Sequence, residues 1–112
     1  FSGPISALHA GEVAGAFIKA VSKERDGAAV FDMNGVFTTV EEWVNILRKI
    51  EPNALINITG KALAFPFHLS DEPLRKYIGN YEKIELEPGI KQTYSAFKKL
   101  LSRGQISVNN LN

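Results

Sequence analysis

Ile5-Ser6-Ala7-Leu8-His9-Ala10-Gly11-Glu12-Val13-Ala14-Gly15-Ala16-Phe17-Ile18-Lys19-Ala20-Val21 is the stretch on which the reading of this chain turns. Residues 5–9 are short and mostly apolar, a strand by pattern, and they run straight into a helix. Gly11 can serve as the N-cap, which puts Glu12 in the first turn near the positive end of the helix dipole. Val13, Ala14, Phe17, Ile18 and Val21 recur at helical spacing and predict one apolar face. Lys19, Lys23, Glu24 and Arg25 flank that face or close the helix, and Asp26-Gly27 makes the turn. A strand passing directly into a helix predicts that α and β segments interleave along the chain.

Moving outward, residues 28–33 (AAVFDM) read as a second strand, ended by Asn34-Gly35. Thr38 and Thr39 stand three residues ahead of Glu41 and Glu42, so either pair can form a capping box. The helix they open places Val40, Trp43, Val44, Leu47 and Ile50 on one side and stops before Pro52. That stripe makes Trp43 a core residue. Residues 54–58 (ALINI) predict a third strand, with Thr59-Gly60 as its turn. Residues 61–70 (KALAFPFHLS) predict a hydrophobic loop lying across a surface. Ser70 or Asp71 caps a short helix with Pro73 in its first turn, Leu74, Tyr77 and Ile78 on its buried edge, and Gly79 as its stop. A link through Tyr81, Ile84 and Leu86 reaches Glu87-Pro88-Gly89, the start of a last helix. Ile90, Tyr94, Phe97, Leu100 and Leu101 share its apolar face, and Arg103-Gly104 ends it. Residues 1–104 form the folded body and residues 105–112 a polar tail.

Composition bounds the class. At 112 residues, 45% apolar and 22% charged, this is one soluble globular domain or part of one, helix-rich with α and β interleaved. Its 13 basic and 12 acidic side chains are spread along the chain, which argues against nucleic acid and anionic membrane as partners. The absence of cysteine excludes disulfides and thiolate metal sites, fits a reducing compartment, and makes the cytoplasm the expected location. The chain begins at Phe1 and its only methionine is Met33, so a piece of a larger polypeptide is the expectation.

The motifs carry the reading further. His9-Ala10-Gly11-Glu12-Val13-Ala14, followed by Ala16-Phe17 and Ala20, resembles the "H-V-D-D-V-A-x-A-F-x-x-A" segment of extended short-chain dehydrogenases/reductases, the NAD(P)-dependent epimerase/dehydratase family. Val30-Phe31-Asp32-Met33-Asn34-Gly35 with Thr39-Val40-Glu41-Glu42 resembles that family's "v-y-N-i-G … T-v-x-E" strand and helix. Ser70-Asp71-Glu72-Pro73-Leu74-Arg75-Lys76-Tyr77-Ile78-Gly79 is similar to "D-x-S-x-L-R-x-x-L-G". Glu85-Leu86-Glu87-Pro88-Gly89-Ile90, with Thr93 and Phe97 beyond, is similar to the closing "L-E-E-G-I-x-x-T-x-x-x-F". The four patterns occur in order and cover nearly the whole chain.

The resemblance implies the C-terminal, substrate-binding lobe of an extended Rossmann-type enzyme, an α/β architecture whose N-terminal dinucleotide-binding domain lies outside this sequence. It implies NAD or NADP as cofactor of the whole enzyme, none bound by this part, and a small-molecule substrate. The pocket would be shaped by the segment before His9 and by loop 61–70, which makes Ser2, Ser6 and His68 the candidate substrate-binding residues. No catalytic, cofactor-binding or metal-ligating residue is expected here, since the glycine-rich turn and the Tyr-x-x-x-Lys pair belong to the other domain. Two departures bear on substrate: Gly11 and Glu12 replace the motif's acidic pair, and Phe65-Pro66-Phe67-His68 stands where an arginine is often found. The first replaces the family's usual N-cap; the second, the missing cation, favours a small, uncharged or non-nucleotide substrate.

Some patterns mimic chemistry. Tyr94-Ser95-Ala96-Phe97-Lys98 matches Tyr-x-x-x-Lys literally, but on the last helix Tyr94 is expected to pack beside Phe97 while Lys98 is solvated. Ile58-Thr59-Gly60 lacks the further glycines of a dinucleotide turn and reads as an ordinary turn. His9 is expected to be structural, Asp71 a cap, and the acidic pairs Glu41/Glu42 and Glu85/Glu87 solvated or capping. The alternative to an enzyme lobe is a stand-alone binding or interaction module, docking through an apolar surface that includes Phe65, Phe67 and Phe1. Either way, exposed apolar surface predicts self-association or pairing with another chain.

Overall fold

A computed structural model describes residues 1–24, 26–64 and 69–108. Among them run β1 (Pro4–Ala7), α1 (Ala10–Val21), β2 (Val36–Thr39), α2 (Val40–Ile50), α3 (Glu72–Ile78) and α4 (Leu86–Ser102). It is a small mixed α/β protein with four helices and a two-stranded sheet. β1 and β2 pair antiparallel, with Pro4 opposite Thr39 and Ala7 opposite Val36. The chain can bring these strands together only because residue 35 is glycine. A Cβ there would lie 2.4 Å from the Ala7 carbonyl oxygen and 2.7 Å from its carbon.

β2 passes into α2 without a loop, and the capping expectation resolves on one of its two pairs. The Thr39 hydroxyl accepts the Glu42 N–H at 3.1 Å, while the Glu42 carboxylate accepts from the Thr38 hydroxyl at 2.6 Å. The Glu41 carboxylate instead accepts the Gly3 N–H, tying the helix start to the N-terminal segment. α3 begins as the sequence predicts, with the Ser70 hydroxyl accepting the Glu72 N–H, and stops at Gly79 with φ of 89°. α4 starts at Leu86, so Pro88 falls within its first turn, and it closes at Arg103 and Gly104.

Several expectations need correction. α1 begins at Ala10 and is capped by His9, not Gly11. Residues 28–33 and 54–58 form no strand. Side chains alternate between partly covered and exposed over 30–33 (Phe31 and Met33 in, Asp32 out) and throughout 54–58 (Ile56 in, Leu55 and Asn57 out), so the period of two is present there. Among the described residues no neighbouring backbone completes a ladder with them, and a strand is defined by that partner. Residues 60–62 do touch the N-terminal segment, through a single parallel bridge of Ser2 with Ala62.

The core is thin. Ala16, Leu74, Ile78 and Tyr81 form its centre, with Phe31, Met33 and Tyr77 packed against it. Among the described residues no large side chain is fully buried. The radius of gyration is 16.9 Å, against about 13 Å for a compact domain of this length. Phe17, Ile18 and Val21, placed by their spacing on α1's inner face, are 67%, 68% and 83% exposed, and the face turned inward carries Glu12 and Ala16. Trp43 is likewise 39% exposed rather than core. Among the described residues no helix is long and apolar enough to cross a membrane.

Candidate functional site

Two concentrations of chemistry stand out, one closed and one open. The closed one is built on Asp71, at the N-cap position of α3 but not capping it with its side chain. Its Oδ2 accepts from the Tyr81 hydroxyl at 2.6 Å, from Lys83 Nζ at 2.8 Å and from Arg75 Nη2 at 3.1 Å. Lys83 also donates to the Asn34 carbonyl, so the cluster joins α3, the link before α4 and the segment before β2. Arg75 and Lys83 each lie within 6 Å of the centre of the Tyr81 ring, at 5.7 and 5.6 Å. Burial alone would raise the Asp71 pKa, but the three donors and the Lys83 charge outweigh it and hold the carboxyl well below its usual range. The Tyr81 phenol is pushed up to about 12 by burial and by donating to that carboxylate. A carboxylate so fully engaged, beside a phenol so reluctant to ionise, is a fixed ion-pair joint rather than an acid–base pair.

The open one is a cleft of about 270 Å³ at the far end of β1, between the starts of α1 and α4 and the side of α2. His9 and Ala7 form one wall, Trp43 another, and Ile84, Gly89, Ile90 and Thr93 the third. The His9 ring holds its place through two contacts. Its Nδ1 accepts the Gly11 N–H at 3.0 Å, which caps α1, and α4 approaches it closely because position 89 is glycine: a Cβ there would sit 3.3 Å from His9 Cδ2. Since Nδ1 accepts, the neutral ring carries its proton on Nε2. Nearby, buried Glu12 uses Oε1 to accept the Ile84 N–H at 2.6 Å, locking α1 to the link before α4, and its Oε2 has no hydrogen-bond partner. A second cleft, of about 210 Å³, continues from the first between α2 and α4, lined by Leu47, Tyr94 and Phe97 in addition to Trp43, Ile90 and Thr93.

The residues singled out from sequence fall elsewhere. The Ser2 hydroxyl donates to the Gly60 carbonyl at 3.1 Å, and Ser6 sits exposed on β1 opposite Phe37. Neither lines the cleft, and the structure does not bring them together. His68, with Phe65 and Phe67, lies outside the described residues. The Tyr94 hydroxyl donates to Glu51 Oε2 at 2.7 Å, pinning α4 to the end of α2, while Lys98 Nζ lies over the ring face, 5.5 Å from its centre. Among the described residues no group of three or more histidine, cysteine or acidic side chains could hold a metal ion.

Sequence reading missed the cleft's own residues, Trp43 and Thr93. Trp43 sits in a helical stripe and Thr93 beside one, and nothing in such a pattern distinguishes a wall of a groove from a core position. Compared with protein-family models, with curated proteins and with solved structures, the chain matches none.

Proposed function

We propose that this chain is the substrate-binding lobe of an NAD(P)-dependent epimerase, dehydratase or reductase, working against a dinucleotide-binding domain that supplies cofactor and proton transfer. One observation carries the reading. α1 turns a charged residue inward and presents Phe17, Ile18 and Val21 to water, beside a core that fully buries no large side chain among the described residues. A helix that amphipathic normally lays its apolar stripe on something. The four motifs that resemble the family supply a candidate, since the corresponding lobe packs on a Rossmann domain. The open cleft, in which the described residues form no catalytic pair, suits a lobe that shapes a pocket without doing its chemistry.

The reading is tested by sequencing the gene upstream of the codon for Phe1. A glycine-rich βαβ start followed by Tyr-x-x-x-Lys, within roughly 200 residues, is the expected result. A start codon beside Phe1 overturns it and leaves a stand-alone interaction module, for which the same α1 stripe would be the docking face. In solution, residues 1–112 alone should show no micromolar binding of NADH by calorimetry.

A further inference from the structure

The two clefts share Trp43, Ile90 and Thr93, so they adjoin as the two parts of a groove along α4. From Leu86 to Phe97 the groove follows three turns of helix, about 16 Å at the α-helical rise. Its walls are overwhelmingly apolar. Among the described residues no lysine or arginine lines it, and Glu85, at one end, is its sole acidic side chain. The starts of two helices approach this end, which would favour an anion, but Glu12 and Glu87 occupy their first turns and Glu85 precedes the second. A carboxylate or phosphate entering here would lose water and find no counter-charge. At this end the polar group left for a ligand is the Nε2–H of His9, since Nδ1 is committed to Gly11, while the Thr93 hydroxyl and the Trp43 indole N–H line the part where the two clefts meet. With volumes of about 270 and 210 Å³, the groove's two parts are too slight for a helix of roughly 10 Å diameter.

We infer that this groove binds an uncharged small molecule with an elongated apolar body and one polar end, the polar end at His9 and the body over Trp43 towards Phe97. Calling that molecule the substrate rests on the function proposed above; its binding to this chain does not.

Trp43 is the only tryptophan and lines both parts of the groove, so its fluorescence reports occupancy directly. The full chain is titrated with 1-hexanol, 1-heptanol and 1-octanol, and separately with octanoate. A saturable emission change is expected, with affinity rising about three- to fourfold per added methylene. Octanoate should bind at least about tenfold more weakly than octanol, because its charge is desolvated without a partner. Thr93→Phe, at an exposed position where the two parts meet, should reduce octanol affinity by at least about tenfold with an unchanged circular dichroism spectrum. Phe17→Ser, on α1 away from the groove, should leave it unchanged. An unsaturable response, affinity independent of chain length, or octanoate binding as tightly as octanol overturns the inference, and so does a folded Thr93→Phe variant that binds normally. Should that variant not fold, the length series and the octanoate comparison on the native chain still decide. A positive titration beside a start codon at Phe1 keeps the binding site and discards the enzyme lobe; the opposite pair of results does the reverse.

Discussion

The Asp71 joint and the α1 stripe invert the usual placement of polar and apolar groups. At the joint, a carboxylate 6% exposed sits inside the protein with a cation on either side of it. On α1, an aromatic and two β-branched side chains face water. The difference teaches which part of the molecule is complete. The joint satisfies its buried charge with donors from its own chain, whereas the described residues leave the stripe mostly uncovered. Substitutions should therefore be costly on the closed side and nearly free on the open one.

The largest effect is expected at Gly35, which lets β1 and β2 close beside the joint. Gly35→Ala drives a methyl group into the Ala7 backbone, an obstacle that no side-chain rotation relieves. We expect a loss of about 3 kcal/mol or more, read by urea denaturation, with the sheet opened. A loss below about 1 kcal/mol would mean that the strands are not held this closely.

Asp71→Asn comes next. It leaves Arg75 and Lys83 facing each other without their anion. Removing one member of a buried ion pair costs about 3–5 kcal/mol, and because the cations are 38% and 27% exposed we expect about 2 kcal/mol here. The native protein should show the same dependence on acid. A carboxyl whose folded pKa lies below its unfolded value binds fewer protons when folded, so its stabilisation is full above the unfolded pKa of about 4 and falls away as pH drops below it. Asp71→Asn should flatten that part of the acid profile. An unchanged slope would mean that the joint does not hold the fold together.

Tyr81→Phe deletes one of three donors and keeps the ring beneath both cations. A loss of about 1 kcal/mol is expected. Tyr81 also supplies an alkaline signature of opposite sense. Its folded pKa, about 12, lies above the ordinary value of 10.0, so its contribution is present below pH 10 and disappears as pH rises through 12. Spectrophotometric titration should find a tyrosine ionising late, near pH 12, and that late step should vanish in Tyr81→Phe. A native chain with no late step, or a late step that survives in Tyr81→Phe, would contradict the joint's geometry.

These contrasts also explain what the sequence could reveal. All four helices were legible, because spacing, the threonines before Glu42, Ser70, Gly79 and Gly104 are local signals. The strands at 28–33 and 54–58 were not, because Phe31 and Ile56 show the right alternation while pairing depends on a backbone far away in sequence. On α1 the helical period was right and the facing wrong: Glu12 and Ala16 lie on the face next to Phe17 and Val21, and only the chain around them says which is covered. Asp71 reads as a cap because its partners Tyr81 and Lys83 come after the helix it precedes. Trp43 and Thr93 gave no separate sign of the groove, and Ser2 and Ser6 stand out only by position along the chain, which carries no information about the α4 end of the molecule.

The smallest change in stability, and the sharpest contrast with Asp71, is expected at Phe17. Its side chain is 67% exposed, so Phe17→Ser removes little packing and should alter stability by no more than about 0.5 kcal/mol. Its effect should appear in association instead. With Ile18 and Val21, Phe17 makes an apolar stripe that, in the absence of a partner domain, is available to a second copy. Sedimentation velocity of the native chain should then show concentration-dependent self-association, weakened in Phe17→Ser and weakened further by adding Val21→Ser. If Phe17→Ser instead costs as much stability as Asp71→Asn, the stripe is covered by the chain itself, and the contrast between a finished side and an unfinished one falls with it.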